Sequence, residues 1–486
     1  MFHIIWFIPI TIVLLILIAC LRTIILKART KDSHGVTTNI PFIEDPTRAA
    51  NHLAEAVTFA TIAASDWEKT DFTAFRDFQE FLKKTYAHTF SKLEVLDAGP
   101  YNIVLRWAGS ETTLLPALLL AHQDVVPAAD IKEWTYPPFS NQIKDGYVWG
   151  RGSFDAKGQL IAIMEALETL VEKSFKPART WYIAFGCDEE VRGSHGAAAI
   201  AQYFKSQNLR FAFVLDEGGV VAEGFIPMLP HPVAVVGIAE KGDVNVKLTC
   251  DREGGHSSSP NNPTALSILG RAMWRLEAKQ SRAIITTPVS LMLTTLGLHA
   301  PFLLAIPLLN LWLFKPLIAA IFRKTPAMNA LLRTTCAVTM AQASDAPNVI
   351  AKQAVAVANL RLLPHQSTEQ TLTWMRRRIN DKRVTCTPLE KTMRSQSSSI
   401  DSPEFALLTE TIKEIFPSAI PTPYLMTGGT DAIWYEPLSS QVYRFTPAAM
   451  NTGELNRMHN RDERFSVENL CKATQFYMTL ITRGNE

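Results

Sequence analysis

The hydrophobic positions of this chain begin with a long uncharged segment at the N-terminus. Ile4 to Leu21 is a run of 18 residues without a charged side chain, and Arg22, Lys27 and Arg29 follow it. Because about 20 apolar residues span a bilayer, residues 1–29 are predicted to form a single-pass membrane anchor. The alternative is a cleaved signal peptide on a secreted protein, but signal peptides usually begin with Lys or Arg, and neither precedes this run. The basic flank on the body side favours a cytoplasmic body, and the orientation stays open.

Beyond residue 110, short apolar runs alternate with segments that have the composition of helices. Leu114–Ala121, Trp181–Phe185 and Phe211–Leu215 are continuous apolar runs typical of strands buried on both faces. The segments 157–173 and 196–204 lie between them and are predicted to be helical. Strands that alternate with helices indicate right-handed crossovers. We therefore predict an α/β domain with a mainly parallel sheet.

The pattern changes after Gly242. Val244–Leu248 and Lys352–Leu362 alternate apolar and polar residues, as antiparallel strands with one wet face do. Helices are predicted near 262–279 and 369–379, and the α/β pattern returns from about residue 401. The α/β domain is thus interrupted by an α+β insertion.

Within this insertion lies a second apolar stretch. Ala283–Phe314 runs for 32 residues without a charged side chain, but Pro288, Pro301 and Pro307 interrupt it. Because proline breaks a helix, and because the flanking segments must return to one domain, a second transmembrane span is not expected. Two alternatives remain open: the core or dimer interface of the insertion, or an apolar surface that receives an acyl chain or rests on the bilayer.

Composition and charge exclude several classes of protein. The 486 residues suffice for two or three domains, and a hydrophobic fraction of 47% excludes a disordered chain. Lys and Arg total 48 and Asp and Glu total 46, so the net charge of +2 gives no positive surface for nucleic acid, and no nucleic-acid partner is expected. The six cysteines contain no CxxC pair and are too sparse for a disulfide scaffold.

Polar side chains follow each of the three predicted strands. His122 and Asp124 come at the end of the first strand, acidic residues (188–190) after the second, and an acidic pair (216–217) after the third. The carboxyl ends of such strands meet at one crevice of the sheet, and Asp155 joins them from a glycine-rich turn. So many unpaired carboxylates would repel each other. The cluster therefore predicts one or two divalent cations, with an ordinary acidic loop rim as the alternative.

The residue types suit metal chemistry. Imidazole and carboxylate ligands fit zinc and related ions. His122 and Asp124 are two apart and face the same side of a strand, so Asp124 can hold the imidazole and fix its tautomer. Of two adjacent glutamates, one can bind metal while the other serves as a base. Two neighbouring ions need a bridging carboxylate, and they lower the pKa of a shared water.

The sequence resembles a known family, the co-catalytic di-zinc metallopeptidases of the aminoacylase, carboxypeptidase S and glutamate carboxypeptidase type. The motifs appear in family order over residues of about 45–480. They are AHQDVVPA (121–128), WGRGSFDAKGQL (149–160), FGCDEEVRGSHGA (185–197), VLDEGG (214–219), GGHSSSP (254–260), APNVIA (346–351), GGTDA (428–432) and MHNRDERFS (458–466). The segment NLWLFKPL (310–317) resembles most the branch that contains carboxypeptidase S and the secreted N-fatty-acyl-amino-acid synthase/hydrolases.

The resemblance implies a site with two Zn²⁺ ions per chain, with Co²⁺ or Mn²⁺ as alternatives. The residues it assigns are His122 and Asp216 on one ion, Glu190 and His459 on the other, Asp155 as the bridge, Glu189 as the general base and Asp124 as the residue that orients His122.

The resemblance also implies a domain plan. Residues 45–242 and 395–486 would form the catalytic domain, 243–394 an inserted lid that often mediates homodimers, and 30–44 a linker after the N-terminal segment. His256 would polarise the scissile carbonyl, in some relatives across the dimer, although a turn histidine after two glycines is its simpler interpretation. Asn348 and Arg361 match positions that hold the substrate carboxylate.

Three functions follow as hypotheses. The first is a membrane-anchored, metal-dependent hydrolase of amide bonds next to a free-carboxylate amino acid, acting on N-acyl-amino acids. The second is the same chemistry on small peptides, as a carboxypeptidase or dipeptidase. The third is a binding protein without activity on the same fold, since fold does not fix function; the complete set of base and ligands argues against it.

Overall fold

The computed structural model describes residues 2–29, 41, 43, 45–224, 229–390 and 395–484. The predicted linker 30–44 lies outside the described residues apart from Pro41 and Ile43. The α-helices are α1 (Phe2–Arg29), α2 (Pro46–Thr58), α3 (Phe72–Thr85), α4 (Ala87–Lys92), α5 (Lys157–Glu172), α6 (Ala197–Ser206), α7 (Ala265–Ala278), α8 (Thr287–His299), α9 (Phe302–Leu309), α10 (Leu311–Phe322), α11 (Pro326–Leu331), α12 (Thr368–Ile379), α13 (Pro403–Ile415), α14 (Thr452–Leu455) and α15 (Val467–Arg483).

The strands alternate with helices in the first part of the chain and pair with one another in the middle. They are β1 (Glu94–Leu96), β2 (Ile103–Trp107), β3 (Ala117–His122), β4 (Gln142–Lys144), β5 (Tyr147–Trp149), β6 (Trp181–Gly186), β7 (Phe213–Asp216), β8 (Val221–Ala222), β9 (Val233–Glu240), β10 (Gly242–Asp251), β11 (Gly255–His256), β12 (Thr335–Gln342), β13 (Val349–Ile350), β14 (Gln353–Leu362), β15 (Val384–Pro388), β16 (Ile420–Met426), β17 (Val442–Arg444), β18 (Ala449–Met450) and β19 (Arg464–Ser466).

The main sheet is mixed. Its order is β1-β2-β6-β3-β7-β17-β9-β8-β18, and β16 pairs with β9. The four central strands, β6, β3, β7 and β17, are mutually parallel, as predicted for the sheet as a whole. Antiparallel pairs flank them, because β2 runs opposite to β6 and β17 runs opposite to β9. The prediction of a mainly parallel sheet therefore holds for the central strands. The antiparallel pairs on either side of them were not visible in the pattern of strands and helices.

Both faces of the central strands are buried, which explains their continuous apolar runs. Along β3, Leu119 packs into the core shared with α2, α5 and α15. Leu118 and Leu120 point to the opposite core, which α6 closes with Ile200 and Phe204. A strand buried on both faces has no polar positions to alternate with apolar ones. The predicted strands and the helices between them are confirmed to within a few residues.

A second, antiparallel sheet of four strands is built from residues between 242 and 388, in the order β12-β14-β10-β15. Burial alternates residue by residue along β10 and β14. The buried side packs against α7 and α12 through a core of its own, which includes Val246, Leu269 and Leu372. The alternating pattern that predicted one covered face is confirmed.

The second apolar stretch forms helices separated by sharp turns. Pro301 separates α8 from α9, and Asn310 separates α9 from α10 at a bend of 104°. Pro307 lies inside α9 rather than at a break. α8 packs along β16, where Met292 and Leu296 share a core with Leu425. The stretch is thus attached to the main sheet.

Among the described residues, one single helix is long and apolar enough to cross a membrane, namely Ile10–Arg29, with a mean hydropathy of 2.5. The bent pair α9 and α10 passes the same criteria only when its two helices are taken together. The N-terminal helix fits a membrane anchor and a signal peptide equally well, since both have this length and composition.

The main sheet contains a buried ion cluster whose removal gives a test of the fold. Arg444 on β17 is fully buried; its Nε lies 2.8 Å from Glu240 Oε2 and its Nη2 lies 3.0 Å from Glu436 Oε1. Arg444→Met leaves two buried carboxyl groups without their counter-charge. We expect the free energy of unfolding, measured by urea titration, to fall by about 3–5 kcal/mol.

The control is Arg106→Met, which removes an exposed ion pair with Glu94 at 2.7 Å on the edge of the same sheet. Exposed pairs contribute about 0–1 kcal/mol, so this variant should unfold almost like the parent. Equal losses in both variants would contradict the structural role given to the buried cluster.

Candidate metal centre

The candidate ligands lie at the carboxyl ends of three neighbouring strands in the centre of the main sheet. β3 lies between β6 and β7 and is parallel to both, with His122 opposite Gly186. His122 is the last residue of β3, Glu189 and Glu190 lie in the 3-10 turn that follows β6, and Asp216 ends β7. The predicted convergence of these groups is therefore present.

Asp155 lies between two histidines. Its Oδ1 is 3.1 Å from His122 Nε2, and its Oδ2 is 2.9 Å from His459 Nε2. Burial alone would raise the pKa of Asp155, but hydrogen bonds with His122 and His459 hold it well below its usual range. Asp155 thus points one carboxylate oxygen towards each histidine, which is the arrangement expected of a bridging ligand.

The turn that carries Asp155 is held by a residue for which the sequence alone predicted no role. Glu463, fully buried, accepts hydrogen bonds from the backbone N–H groups of Phe154 and Asp155 at 3.0 and 3.2 Å. Its other oxygen pairs with Arg151 from the same turn. The sequence hinted at a role for Glu463 only through its position, four residues after His459 in one of the family motifs. The fold is what brings that motif next to Asp155.

His459 occupies the more open side of the centre. Its Nε2 lies 3.3 Å from Glu190 Oε1 as well as 2.9 Å from Asp155 Oδ2, and about half of its side chain is exposed. The adjacent carboxylates of Asp155 and Glu190 raise the pKa of His459 to about 10. The three side chains assigned by resemblance to one ion are therefore together.

Asp124 holds two neighbours at once. The backbone carbonyl of Asp124 is 2.9 Å from His122 Nδ1, while the nearer carboxylate oxygen is 3.4 Å away. Since a carbonyl only accepts hydrogen bonds, Nδ1 carries the proton and Nε2 faces the carboxylates. The carboxylate of Asp124 accepts the backbone N–H groups of Glu189 and Glu190, both at 3.0 Å. Asp124 thus fixes the acidic turn as well as the imidazole.

The candidate base, Glu189, is half-buried among other acids. Ligand atoms of Glu189, His122 and Glu217 all lie within 4.8 Å of one another. Burial raises the pKa of Glu189 well above its usual value, and the charges of Glu217 and Asp431 add to this effect although His122 opposes it. A raised pKa makes a carboxylate a stronger base, as a candidate general base requires.

Two consecutive carboxyl groups follow β7, and they face different surroundings. Asp216 Oδ1 accepts the N–H of Glu217 at 2.9 Å, whereas its buried Oδ2 has no hydrogen-bond partner among the described residues. Glu217 Oε1 lies 3.3 Å from His122 Nε2, and burial together with the charge of Asp155 raises the pKa of Glu217 to about 7. The sequence motifs pointed to Asp216 alone; the geometry adds Glu217 as a second candidate ligand beside His122.

A further acid comes from the GGTDA loop. Asp431 is buried, and burial followed by the charge of Asp216 raises its pKa well above the usual value. A Cβ on Gly193 would lie 2.4 Å from an Asp431 carboxylate oxygen, and Gly193 has a φ of +65°, so this position favours glycine. The motif was visible in the sequence without a role for Asp431, because its loop is distant in the chain from the strand ends.

The three residues that the resemblance places in the insertion, His256, Asn348 and Arg361, lie outside this cluster. His256 is exposed on β11 and contacts Ser258, with 2.8 Å between Nδ1 and Oγ, and Asn348 lies beside it because its carbonyl accepts the N–H of Ser257. Arg361 on β14 lies close to Gly429: its Nη1 would be 3.7 Å from a Cβ atom placed on that glycine. Within the described part of the chain, no hydrogen bond or ion pair joins His256 or Asn348 to the metal centre.

The donor set fits divalent cations. The acids that meet here are Asp155, Glu189, Glu190, Asp216, Glu217 and Asp431, against the two imidazoles of His122 and His459. Burying this excess of carboxyl groups is unfavourable unless cations or protons neutralise it. The unpartnered Oδ2 of Asp216 is a buried acceptor that a cation would satisfy. Imidazole and carboxylate donors are those that zinc and similar ions accept.

Comparison with known proteins agrees with the motifs. The family model described as "Peptidase family M20/M25/M40" matches residues 118–483. The chain is 37% identical over 439 residues to probable carboxypeptidase S-like 2 of Dictyostelium discoideum, covering 89% of this chain and 84% of that protein. It is also 37% identical to an N-fatty-acyl-amino acid synthase/hydrolase of Xenopus tropicalis, covering 89% and 85%.

Solved structures share the fold at low sequence identity. A metallo-carboxypeptidase of the M20 family from Sulfolobus solfataricus superposes with a TM-score of 0.64 at 17% identity, covering 90% of this chain and 99% of that one. The YXEP protein of Bacillus subtilis, described as a dinuclear metal binding peptidase, gives a TM-score of 0.53 at 13% identity, covering 90% and 98%. The resemblance seen in the motifs is confirmed: the chain is a metallohydrolase that belongs to peptidase family M20/M25/M40.

Proposed function

We propose that this protein hydrolyses amide bonds next to a free-carboxylate amino acid, with N-acyl-amino acids as substrates. The observation that carries the proposal is the carboxylate of Asp155, with one oxygen near His122 and the other near His459, while Glu189 lies near the same His122. The names of the similar Dictyostelium and Xenopus proteins, a probable carboxypeptidase and an N-fatty-acyl-amino acid synthase/hydrolase, support amide chemistry at such a site.

The centre is proposed to bind two Zn²⁺ ions, with Co²⁺ or Mn²⁺ as alternatives. His122 with Asp216 or Glu217 would hold one ion, Glu190 with His459 the other, and Asp155 would bridge them. The description of the similar Bacillus protein as a dinuclear metal binding peptidase supports this number. When bound, such ions lower the pKa of a water and polarise the substrate carbonyl.

The protein's own residues supply the proton transfers. Glu189 would take a proton from the attacking water and return it to the departing amine. Burial and the neighbouring acids raise the pKa of Glu189, and a higher pKa makes its carboxylate a stronger base. Asp124 would keep the base in place through the backbone N–H groups of Glu189 and Glu190.

Residues 243–394 are proposed to act as a lid between the catalytic segments 45–242 and 395–486, and as the interface of a homodimer. His256 would stabilise the oxyanion, from its own lid or from that of a second subunit. Asn348 and Arg361 would hold the substrate carboxylate. The short distance between Arg361 and the Gly429 position supports this, because Gly429 lies two residues before Asp431 in the centre.

The N-terminal helix is proposed to be an uncleaved single-pass anchor, with secretion after cleavage as the alternative. The apolar helices after residue 283 are proposed to accept the acyl chain on the side that faces the sheet. Leu363, two residues after Arg361, packs in the same apolar core as Met292 of α8 and Ile318 of α10. An amino-acid carboxylate held by Arg361 would thus lie next to an apolar wall.

A carboxypeptidase or dipeptidase is the second candidate function. It is favoured by the likeness to carboxypeptidase S-like proteins and to a metallo-carboxypeptidase fold. Both candidates share the centre and differ in the pocket for the acyl side of the amide.

Substitution of the base tests the chemistry. Glu189→Gln keeps the size of the side chain and removes its ability to accept a proton. We expect kcat to fall by about 10²- to 10⁴-fold while metal content stays unchanged. The control Glu172→Gln alters an acid outside the centre and should have parental kcat. A parental rate in Glu189→Gln would show that another group is the base.

Metal analysis tests the number of ions. Elemental analysis after mild dialysis should give about two ions per chain, and His459→Ala should lower the ratio towards one. The control is His88→Ala, which alters an exposed histidine grouped with Glu168 and Glu172 away from the centre and should leave the ratio at two. A parental ratio of one or zero would contradict a two-ion centre.

A series of N-acyl substrates that share one amino acid tests the acyl-chain proposal. Because each buried methylene contributes at most about 0.8 kcal/mol, kcat/KM should rise by up to about fourfold per methylene from acetyl to long fatty acyl until the site is filled. A flat series, or a preference for acetyl, would leave the apolar helices as structural core and favour the peptidase alternative.

A further inference from the structure

The helix pair α9 and α10 leaves an apolar side exposed. Leu303 is 80% exposed, and Trp312, Leu317 and Ile321 are each about half exposed. Neither helix carries a charged residue apart from Lys315. A surface of this kind on a water-soluble domain requires a partner.

The N-terminal helix packs against this pair, and a buried asparagine joins them. Asn310, which separates α9 from α10, has no exposed surface. Its Nδ2 lies 3.1 Å from the carbonyl oxygen of Ala19 and 3.0 Å from Thr23 Oγ1, both in α1. Its Oδ1 accepts the indole N–H of Trp312 at 3.2 Å. A buried amide among apolar helices is tolerated only when it is paired in this way.

A second contact fixes the end of α1. Lys27 Nζ donates to the carbonyl oxygens of Leu298 and Ala300, at 2.7 and 2.8 Å, where α8 ends. A cation at the C-terminal end of a helix is favourable because free carbonyl groups point towards it. The last two turns of α1 are therefore attached to the same group of helices as Asn310.

These contacts set the depth of the pair relative to α1. Thr23 and Ala19 precede Lys27 by four and eight residues, which correspond to about 6 and 12 Å along a helix. One leaflet of the hydrocarbon core is about 15 Å thick, and helices that lie in the interface insert by about 5–10 Å. If Lys27 marks the surface of the bilayer, Asn310 and its neighbours lie inside the leaflet on the body's side.

The bend excludes a second crossing. α9 and α10 meet at 104° and have 8 and 12 residues, so each is about 12–18 Å long, too short for a bilayer core of about 30 Å. We infer that α9 and α10 are embedded in the body-side leaflet next to α1, with Leu303 and its exposed apolar neighbours in contact with lipid. The inference rests on the membrane anchor proposed above, and it adds a lipid-bound surface to the same helices that adjoin the proposed acyl site.

The test uses the full-length protein in phosphatidylcholine vesicles whose acyl chains carry bromine, which quenches nearby fluorophores. A fluorescent amino acid is encoded singly at position 303. Position 17 in α1 is the positive control, and position 266 on α7, a leucine that is 52% exposed, is the matched negative control. We expect strong loss of fluorescence at 17 and 303 relative to vesicles without bromine, and none at 266.

Each other outcome overturns the inference and identifies what failed. Quenching at 17 but not at 303 would leave the anchor in the bilayer and the helix pair outside it. No quenching at 17 or 303 would remove the anchor as well. Equal quenching at 266 and 303 would indicate non-specific adsorption of the whole chain. Since the readout is fluorescence, none of these results depends on the hydrolase activity, which the Glu189 variant tests separately.

Discussion

The crowding of carboxyl groups around His122 is the constraint on which the rest of the structure depends. Asp155, Glu190 and Glu217 each place an oxygen within 3.3 Å of an imidazole nitrogen, and Asp216 is buried behind them. Such a group is unfavourable in a protein interior without counter-charge. A fold that retains it must hold the acids in place by other contacts and must offer them to cations.

The positioning contacts are mostly carboxylates that bind backbone N–H groups. Asp124 holds the turn of Glu189 and Glu190, and Glu463 holds the turn of Asp155 while it pairs with Arg151. Both acids are fully buried. Ligand geometry in this centre therefore depends on residues that do not point into it, as is common for metal sites.

The apolar helices give the molecule a second organised region, distinct from the metal centre. α8 packs on the main sheet, Ile318 of α10 shares the same core, and Asn310 between α9 and α10 contacts α1. One side of this helical group adjoins Leu363, close in the chain to Arg361, and the other side is exposed. Together with the proposed acyl-chain specificity, this arrangement would allow a substrate with a lipid-like chain to reach the centre from a bilayer.

The sequence by itself determined the central strands, the helices between them and most of the candidate ligands. A strand buried on both faces has to be apolar throughout, so β3, β6 and β7 were visible as runs, and the polar residues at their ends followed from the parallel order. Tertiary structure alone decided the antiparallel edges, the contacts of Glu463 and Asn310, and the approach of His459 to Asp155. These depend on pairings between segments that are far apart in the chain, which leave no local periodicity. Tertiary structure also added Glu217 as a candidate ligand beside Asp216, because only the folded chain brings Glu217 Oε1 to 3.3 Å from His122 Nε2.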